Sequence, residues 1–464
     1  RPDAFNSHAH RGSISLIPIP SAEELAAYTA TVEQNNRMER FLAAMEPPRP
    51  DAKPVPVPAR HGEPSLFKHV LYIIKENRTY DQVFGDMPEG NGMPELCNFG
   101  EQVTPNHHKL ARDFTLFDNL YCSGVLSADG HQWTDEAFVT DYIEKAFGDF
   151  PRSYPYDGGD AIAYAPTGFI WDNALAHGRT LRVYGEFVNA HIEPRGVAFM
   201  DILNDWRNNT SNATITATAN IATLEPYICP TFIGFPGVVP DVWRARQFLY
   251  EFRRFEASGE LPNLMIMLLP NDHTVGTRPN MPTPRAAVAD NDLALGQIVD
   301  VVSRSKFWPE TCIFVVEDDP QAGWDHVDGH RTVGFVISPY TKRGCVDSTN
   351  YNQVSIVKTI EMILGLPPMN QLDAMATPMW TCFADTPDLT PYDHVSNIIP
   401  LDELNPPVAA LSGQAREDAL LSLALPLDEI DEAPEDPFNR LLWRATMGPS
   451  IPYPEQYVLA TPDD

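Results

Sequence analysis

The sequence predicts an α/β fold whose mainly parallel central sheet is covered by helices on both faces. Three observations carry that expectation. From residue 66 onward, apolar runs of strand length alternate with longer stretches of helix length, the rhythm of successive βαβ units. The runs "HVLYIIK" (69–75), "NLMIMLLP" (263–270) and "CIFVV" (312–316) are apolar at nearly every position, as strands buried on both faces are. The 464 residues, 43% hydrophobic and 21% charged, suffice for a large core and argue against wholesale disorder.

Residues 11–20, "RGSISLIPIP", alternate like an edge strand and stop at prolines. A helix is expected over 21–46, opened by Ser21 with Glu23 and Glu24 in its first turn. The following "EPPRPDAKPVPVPARHGEP" is a polyproline-type linker. The chain thus divides into an N-terminal extension and linker (1–63), a compact domain (64–400) and an acidic, Pro-rich wrap on that domain (401–464), with one helix around 413–424. Within the domain, a helix over 105–113 precedes a strand, "DFTLFDNLYC" (113–122), and a helical "HQWTDEAFVTDYIEKAF" (131–147). "FIWDNALAHG" is a helix with Gly178 as its stop, and "TLRVYGEF" (180–187) is a strand. After the strand at 263–270 come a helix over 289–305, the strand at 312–319, another strand, "RTVGFVISPY" (331–340), and a helix over 352–366.

Composition restricts the partners. A formal net charge of −30 repels nucleic acid and anionic membranes at long range. No run approaches the roughly 18 apolar residues of a membrane span. Six cysteines show no C-x-x-C pair, so a zinc knuckle is not indicated. Cys312 is expected as a buried thiol, and one or two disulfides are open to the others.

The chemistry gathers at strand ends. "LYIIK" runs into Glu76-Asn77, "MIMLLP" into Asn271-Asp272-His273, and "CIFVV" into Glu317-Asp318-Asp319. The loop "GWDHVDGHR" (323–331) adds Asp325, His326, Asp328 and His330. One acidic strand end is ordinary, because Asp and Asn begin turns. Several at one edge of a parallel sheet crowd carboxylates together, which is costly unless a cation is present. Carboxylate, amide and imidazole donors suit a divalent ion such as Zn²⁺, Mn²⁺, Mg²⁺ or Ca²⁺. A candidate nucleophile lies in "CSGVLSADGHQWTDEAF" (122–138). Ser127 precedes a helix whose N–H groups would meet an anionic oxygen, and spacing alone leaves open whether Ser127 or Asp129 is merely its N-cap.

These blocks carry a resemblance. "HVLYIIKENRTYDQVFG", "RDFTLFDNLYCSG", "VVEDDPQAGWDHV" and "FVISPYTKRG" together resemble the bacterial phosphoesterase family of phospholipase C and acid phosphatase type, within the alkaline phosphatase superfamily. The resemblance runs in order over roughly residues 66–370 and implies an alkaline-phosphatase-like α/β/α sandwich. It implies that Glu76, Asn77, Asp318 and Asp319 hold a metal, and that Ser127 is the nucleophile with His131 four residues on; Thr134 is the second choice. Gly130 stands where the related phosphodiesterases carry Asn. Asp272 fits the Asp of a second-metal pair, but Gly276 occupies the partner position, leaving His273, His326 or His330 as substitutes and making one ion the expectation over two. A formylglycine signal of the sulfatase kind is absent from "CSGVLSADG". The expected function is a metal-dependent phosphoric ester hydrolase working through a phosphoserine. A catalytically inactive extracellular binding or structural module is the alternative. "GSISLIPIP" and the linker resemble the junction of relatives with an upstream β-propeller, and an extracytoplasmic location is expected from acidity, Pro-rich linkers, the resemblance and the Asn-x-Ser/Thr patterns in "NNTSNATIT".

Overall fold

The computed structural model describes residues 14–146, 154–321, 323–427 and 431–458. Five strands form the central sheet: β1 (His69–Lys75), β2 (Leu181–Tyr184), β3 (Leu264–Leu269), β4 (Thr311–Glu317) and β5 (Gly334–Ile337). Their spatial order is β2-β3-β1-β4-β5, and every pairing is parallel except the antiparallel β4–β5. The α/β class with a mainly parallel sheet is therefore the one the chain forms.

Alternation along the strands builds two cores. Val70, Tyr72 and Ile74 join one with Ile266 and Phe314, whereas Leu71 and Ile73 join the other with Met267 and Ile313. The first core includes side chains of the helices Ile170–Ala176 and Gln353–Leu364. The second includes those of Pro105–Asp113, Asp241–Ser258 and Pro284–Arg304. Both faces of β1, β3 and β4 are buried, which is why these runs show no polar alternation.

Several expectations are corrected. Residues 14–19 are exposed and form no strand; residues 11–13 lie outside the described residues. The helix expected over 21–46 is two, Ala22–Asn35 and Met38–Ala44, broken where Arg37 adopts φ of 50°. The run "DFTLFDNLYC" splits at Asp118-Asn119 into Thr115–Phe117 and Leu120–Tyr121. These pieces pair with Cys345–Asp347 and Tyr351–Asn352, outside the central sheet. The helical stretch after Ser127 stops at Glu136, where Ala137 takes φ of 51°, and resumes as Asp141–Ala146; Phe147 lies outside the described residues. All six cysteines are free, so no disulfide forms.

Several elements were missed, the helices Phe199–Asn208 and Asp241–Ser258 among them. Val188–Glu193 and Thr214–Ala219 make an antiparallel ribbon, whose signal was the alternation of Thr with Ile215 and Ala217. The helix Glu435–Met447 packs Phe438, Leu442 and Trp443 around Trp324, with the two indole rings edge-on at 4.9 Å. No described helix is long and apolar enough to cross a membrane.

Candidate active site

Parallel pairing in register places Lys75 beside both Leu269 and Glu317, so the residues that follow β1, β3 and β4 emerge at one edge. Asn77 turns the chain there with φ of 70°, a conformation Asn tolerates better than most residues. The same alternation that divides the core divides the acids. Lys75 and Glu317 project to one side of the sheet, and Glu76 and Asp318, one residue on, to the other.

The first group is neutralised within the protein. Lys75 Nζ lies 2.7 Å from Asp272 Oδ2 and 2.7 Å from Glu317 Oε1, and all three side chains are buried. Asp272 Oδ1 also accepts from the Glu76 N–H at 3.1 Å, and the Arg78 guanidinium donates to the carbonyls of Asp272 and His273. The cation for these two acids is an ammonium of the chain itself.

The second group has no described lysine or arginine. Its one basic side chain is His131, whose pKa, despite burial, the Glu186, Glu76 and Asp318 carboxylates hold well above the usual imidazole range. Among the described residues, Glu76, His131 and Asp318 bring one ligand atom each within 4.8 Å of one another. His131 Nε2 lies 3.6 Å from Glu76 Oε1 and 3.5 Å from Asp318 Oδ2, too far for hydrogen bonds. Glu76 Oε2 and both Asp318 carboxyl oxygens are buried without a hydrogen-bond partner. Burial pushes the Glu76 carboxyl up to about 7 and the Asp318 carboxyl well above its usual range. Spacings near 3.5 Å between two carboxylates and an imidazole fit a divalent ion whose bonds are roughly 2.0–2.6 Å long. The residues present therefore suit one such ion.

Ser127 opens the helix Ser127–Glu136, and its role as a cap can be judged directly. Leu126 is the N-cap, and Asp129, at the third helical position, folds back to accept from the N–H groups of Leu126 (2.9 Å) and Val125 (3.3 Å), so Ser127 is not the cap. The Ser127 hydroxyl instead donates to Asp319 Oδ2 at 3.0 Å. Burial raises the Asp319 carboxyl to about 6. The N–H groups of Ser127 and Ala128 donate at 3.0 and 2.7 Å to Asp431, which also accepts from Tyr154 Oη at 2.9 Å. His131 sits one helical turn after Ser127 and so shares its face. The departure at Gly130 has a steric cause: a Cβ there would lie 2.6 Å from the Asp318 carbonyl oxygen. The helix packs on that backbone, leaving no room for a side chain.

Glu76, His131 and Asp318 thus come together, with Asn77, Asp319 and Ser127 beside them. Asp272, His273, His326 and His330 do not. Asp272 is held by Lys75, and His273 turns its Nδ1 to the Thr274 carbonyl at 2.8 Å. His326 pairs with Asp81 at 2.6 Å in a cluster containing Asp325 and Arg331, and His330 pairs with Asp328 at 2.9 Å near the surface. The hydroxyl of Thr134, the second-choice nucleophile, donates to the His131 carbonyl at 3.0 Å and is fully buried. Three acids around His131 and Ser127 escaped the sequence reading, the first being Asp135, grouped with His131 and Glu186. Glu186, whose Oε1 lies 2.8 Å from His131 Nδ1, follows the strand "TLRVYG" and repeats the acidic strand-end pattern. Asp431 lies 304 residues from Ser127 and has no sequence signal.

Residues 239–367 match the Phosphoesterase family. This is the family that the strand-end blocks resemble, and the matched stretch contains Asp318 and Asp319. Among solved structures, a protein in the alkaline phosphatase superfamily from Vibrio parahaemolyticus is 17% identical over 73% of this chain and 77% of its own, with a TM-score of 0.44. The lipoteichoic acid synthase LtaP from Listeria monocytogenes is 11% identical over 90% of this chain and 99% of its own, with a TM-score of 0.42. The PsFucS1 sulfatase from Pseudoalteromonas sp. is 10% identical over 80% of this chain and 78% of its own, with a TM-score of 0.44. No curated protein matches the chain.

Proposed function

We propose that this chain is a metal-dependent phosphoric ester hydrolase with Ser127 as its nucleophile. The observation that carries the reading is the Ser127–Asp319 hydrogen bond beside the buried Glu76–His131–Asp318 group. The Phosphoesterase match supports the ester class. A divalent ion held by Glu76, His131 and Asp318 would supply positive charge against the charge developing on the phosphoryl oxygens. Asp319, raised to about 6, is a carboxylate near neutral pH and takes the Ser127 proton as Oγ attacks phosphorus. The bond from phosphorus to the ester oxygen breaks, and the alcohol leaves with the proton that Asp319 gives up, directly or through water. Water then attacks the phosphoserine, and Ser127 Oγ regains a proton as phosphate departs. An extracytoplasmic location accompanies this reading, supported by the net charge of −30 and the Asn-x-Ser/Thr patterns.

The test is a panel of aryl phosphate monoesters, aryl phosphate diesters and aryl sulfates, assayed with the protein as isolated, after chelation, and after readdition of Zn²⁺, Mn²⁺, Mg²⁺ or Ca²⁺. Turnover of a phosphate ester that chelation abolishes and one ion restores is expected. Metal-replete protein inert toward every ester would replace this reading with that of a non-catalytic binding or structural module.

A further inference from the structure

We propose that Glu186 is a positioning residue that fixes the tautomer and orientation of His131 so that Nε2 presents its lone pair between Glu76 and Asp318. The inference rests on the proposed metal-dependent reading and extends it to a residue outside the blocks that carry the family resemblance. Glu186 Oε1 accepts from His131 Nδ1 at 2.8 Å, and the Glu186 side chain is buried, so the imidazole proton belongs on Nδ1. The opposite nitrogen then faces Glu76 Oε1 at 3.6 Å and Asp318 Oδ2 at 3.5 Å, where a bound ion would take the place of any proton on it. Two further contacts restrict the ring. The Tyr156 ring lies against it with centroids 5.0 Å apart, and the Tyr156 hydroxyl is anchored on the Gly185 carbonyl at 3.1 Å. The turn after β2 therefore contacts His131 twice, through Glu186 and through Tyr156.

An imidazole held this way differs from one merely packed in a core. Losing the acceptor frees the ring to rotate and lets the proton move to Nε2, where it would block a ligand bond. Carboxylate partners of ligating histidines typically contribute about 10- to 100-fold to metal affinity.

The experiment compares wild type, Glu186→Ala and Glu186→Gln for Zn²⁺ and Mn²⁺ affinity by competition with a fluorescent chelator, with thermal unfolding as a check on folding. Glu186→Ala is expected to weaken binding by about 10- to 100-fold, and Glu186→Gln, whose amide oxygen still accepts from Nδ1, to recover most of that loss. A folded Glu186→Ala protein with wild-type affinity overturns the inference while leaving metal dependence intact. If Glu186→Ala does not fold, anomalous diffraction from zinc-loaded wild type decides. Zinc on His131 Nε2 with Glu186 still on Nδ1 supports the assignment, and zinc on Nδ1 in place of that bond overturns it. Wild type that binds neither ion defeats both this inference and the metal-dependent reading.

Discussion

Ser127→Ala lowers hydrolysis of an aryl phosphate ester by at least about a thousandfold, while folding and metal content stay close to wild type. The magnitude follows from the role assigned to the hydroxyl: it forms the bond to phosphorus, and methyl cannot. The small structural effect follows from the geometry. Asp129, not Ser127, accepts from the N–H groups ahead of the helix, so the substitution removes no cap. What is lost is the 3.0 Å bond to Asp319, which costs about 1.5–3 kcal/mol for a bond to a charged acceptor. Single-turnover kinetics and denaturant melts separate the two quantities. Undiminished turnover would remove Ser127 from the mechanism; the alternative hydroxyl, Thr134, is bonded to the His131 carbonyl and buried, so a water would become the attacking group.

Lys75→Met is the substitution expected to harm folding most. It leaves Asp272 and Glu317 facing each other in the interior with their shared ammonium gone. Removing one partner of a buried ion pair costs about 3–5 kcal/mol, against a total stability of about 5–15 kcal/mol for ordinary domains. Urea unfolding of the variant would show a midpoint lowered accordingly. A change below about 1 kcal/mol would mean that Lys75 is not the neutralising cation and would reopen Asp272 as a metal ligand.

Glu76 and Asp318 were legible because apolar strands ending in acids are unusual, and parallel pairing forces such ends together. Lys75 lies in the same block, but which side of the strand each acid faces is set by alternation, and that separates Lys75 and Glu317 from Glu76 and Asp318. Asp272, held by Lys75, thus falls outside the metal set. His326 and His330 were nearby in sequence, but Asp81, Asp328 and Arg331 hold their segment away from the strand ends. The five-strand order and the antiparallel β5 depend on contacts that no local pattern encodes. Asp118-Asn119 broke the strand before Ser127, although the flanking residues are apolar, because two turn-forming residues outweigh a short hydrophobic run. Glu186 was within reach of the same strand-end rule that found the others.

The central claim is that one divalent ion sits among Glu76, His131 and Asp318 with the Ser127 hydroxyl beside it. Anomalous diffraction from crystals of the manganese- or zinc-loaded protein tests it most directly. The expected result is a single peak within about 2.0–2.6 Å of oxygens of Glu76 and Asp318 and of His131 Nε2. A peak in the Asp81–Asp325–His326 cluster alone, or an active protein with no peak at the strand ends, would contradict the claim.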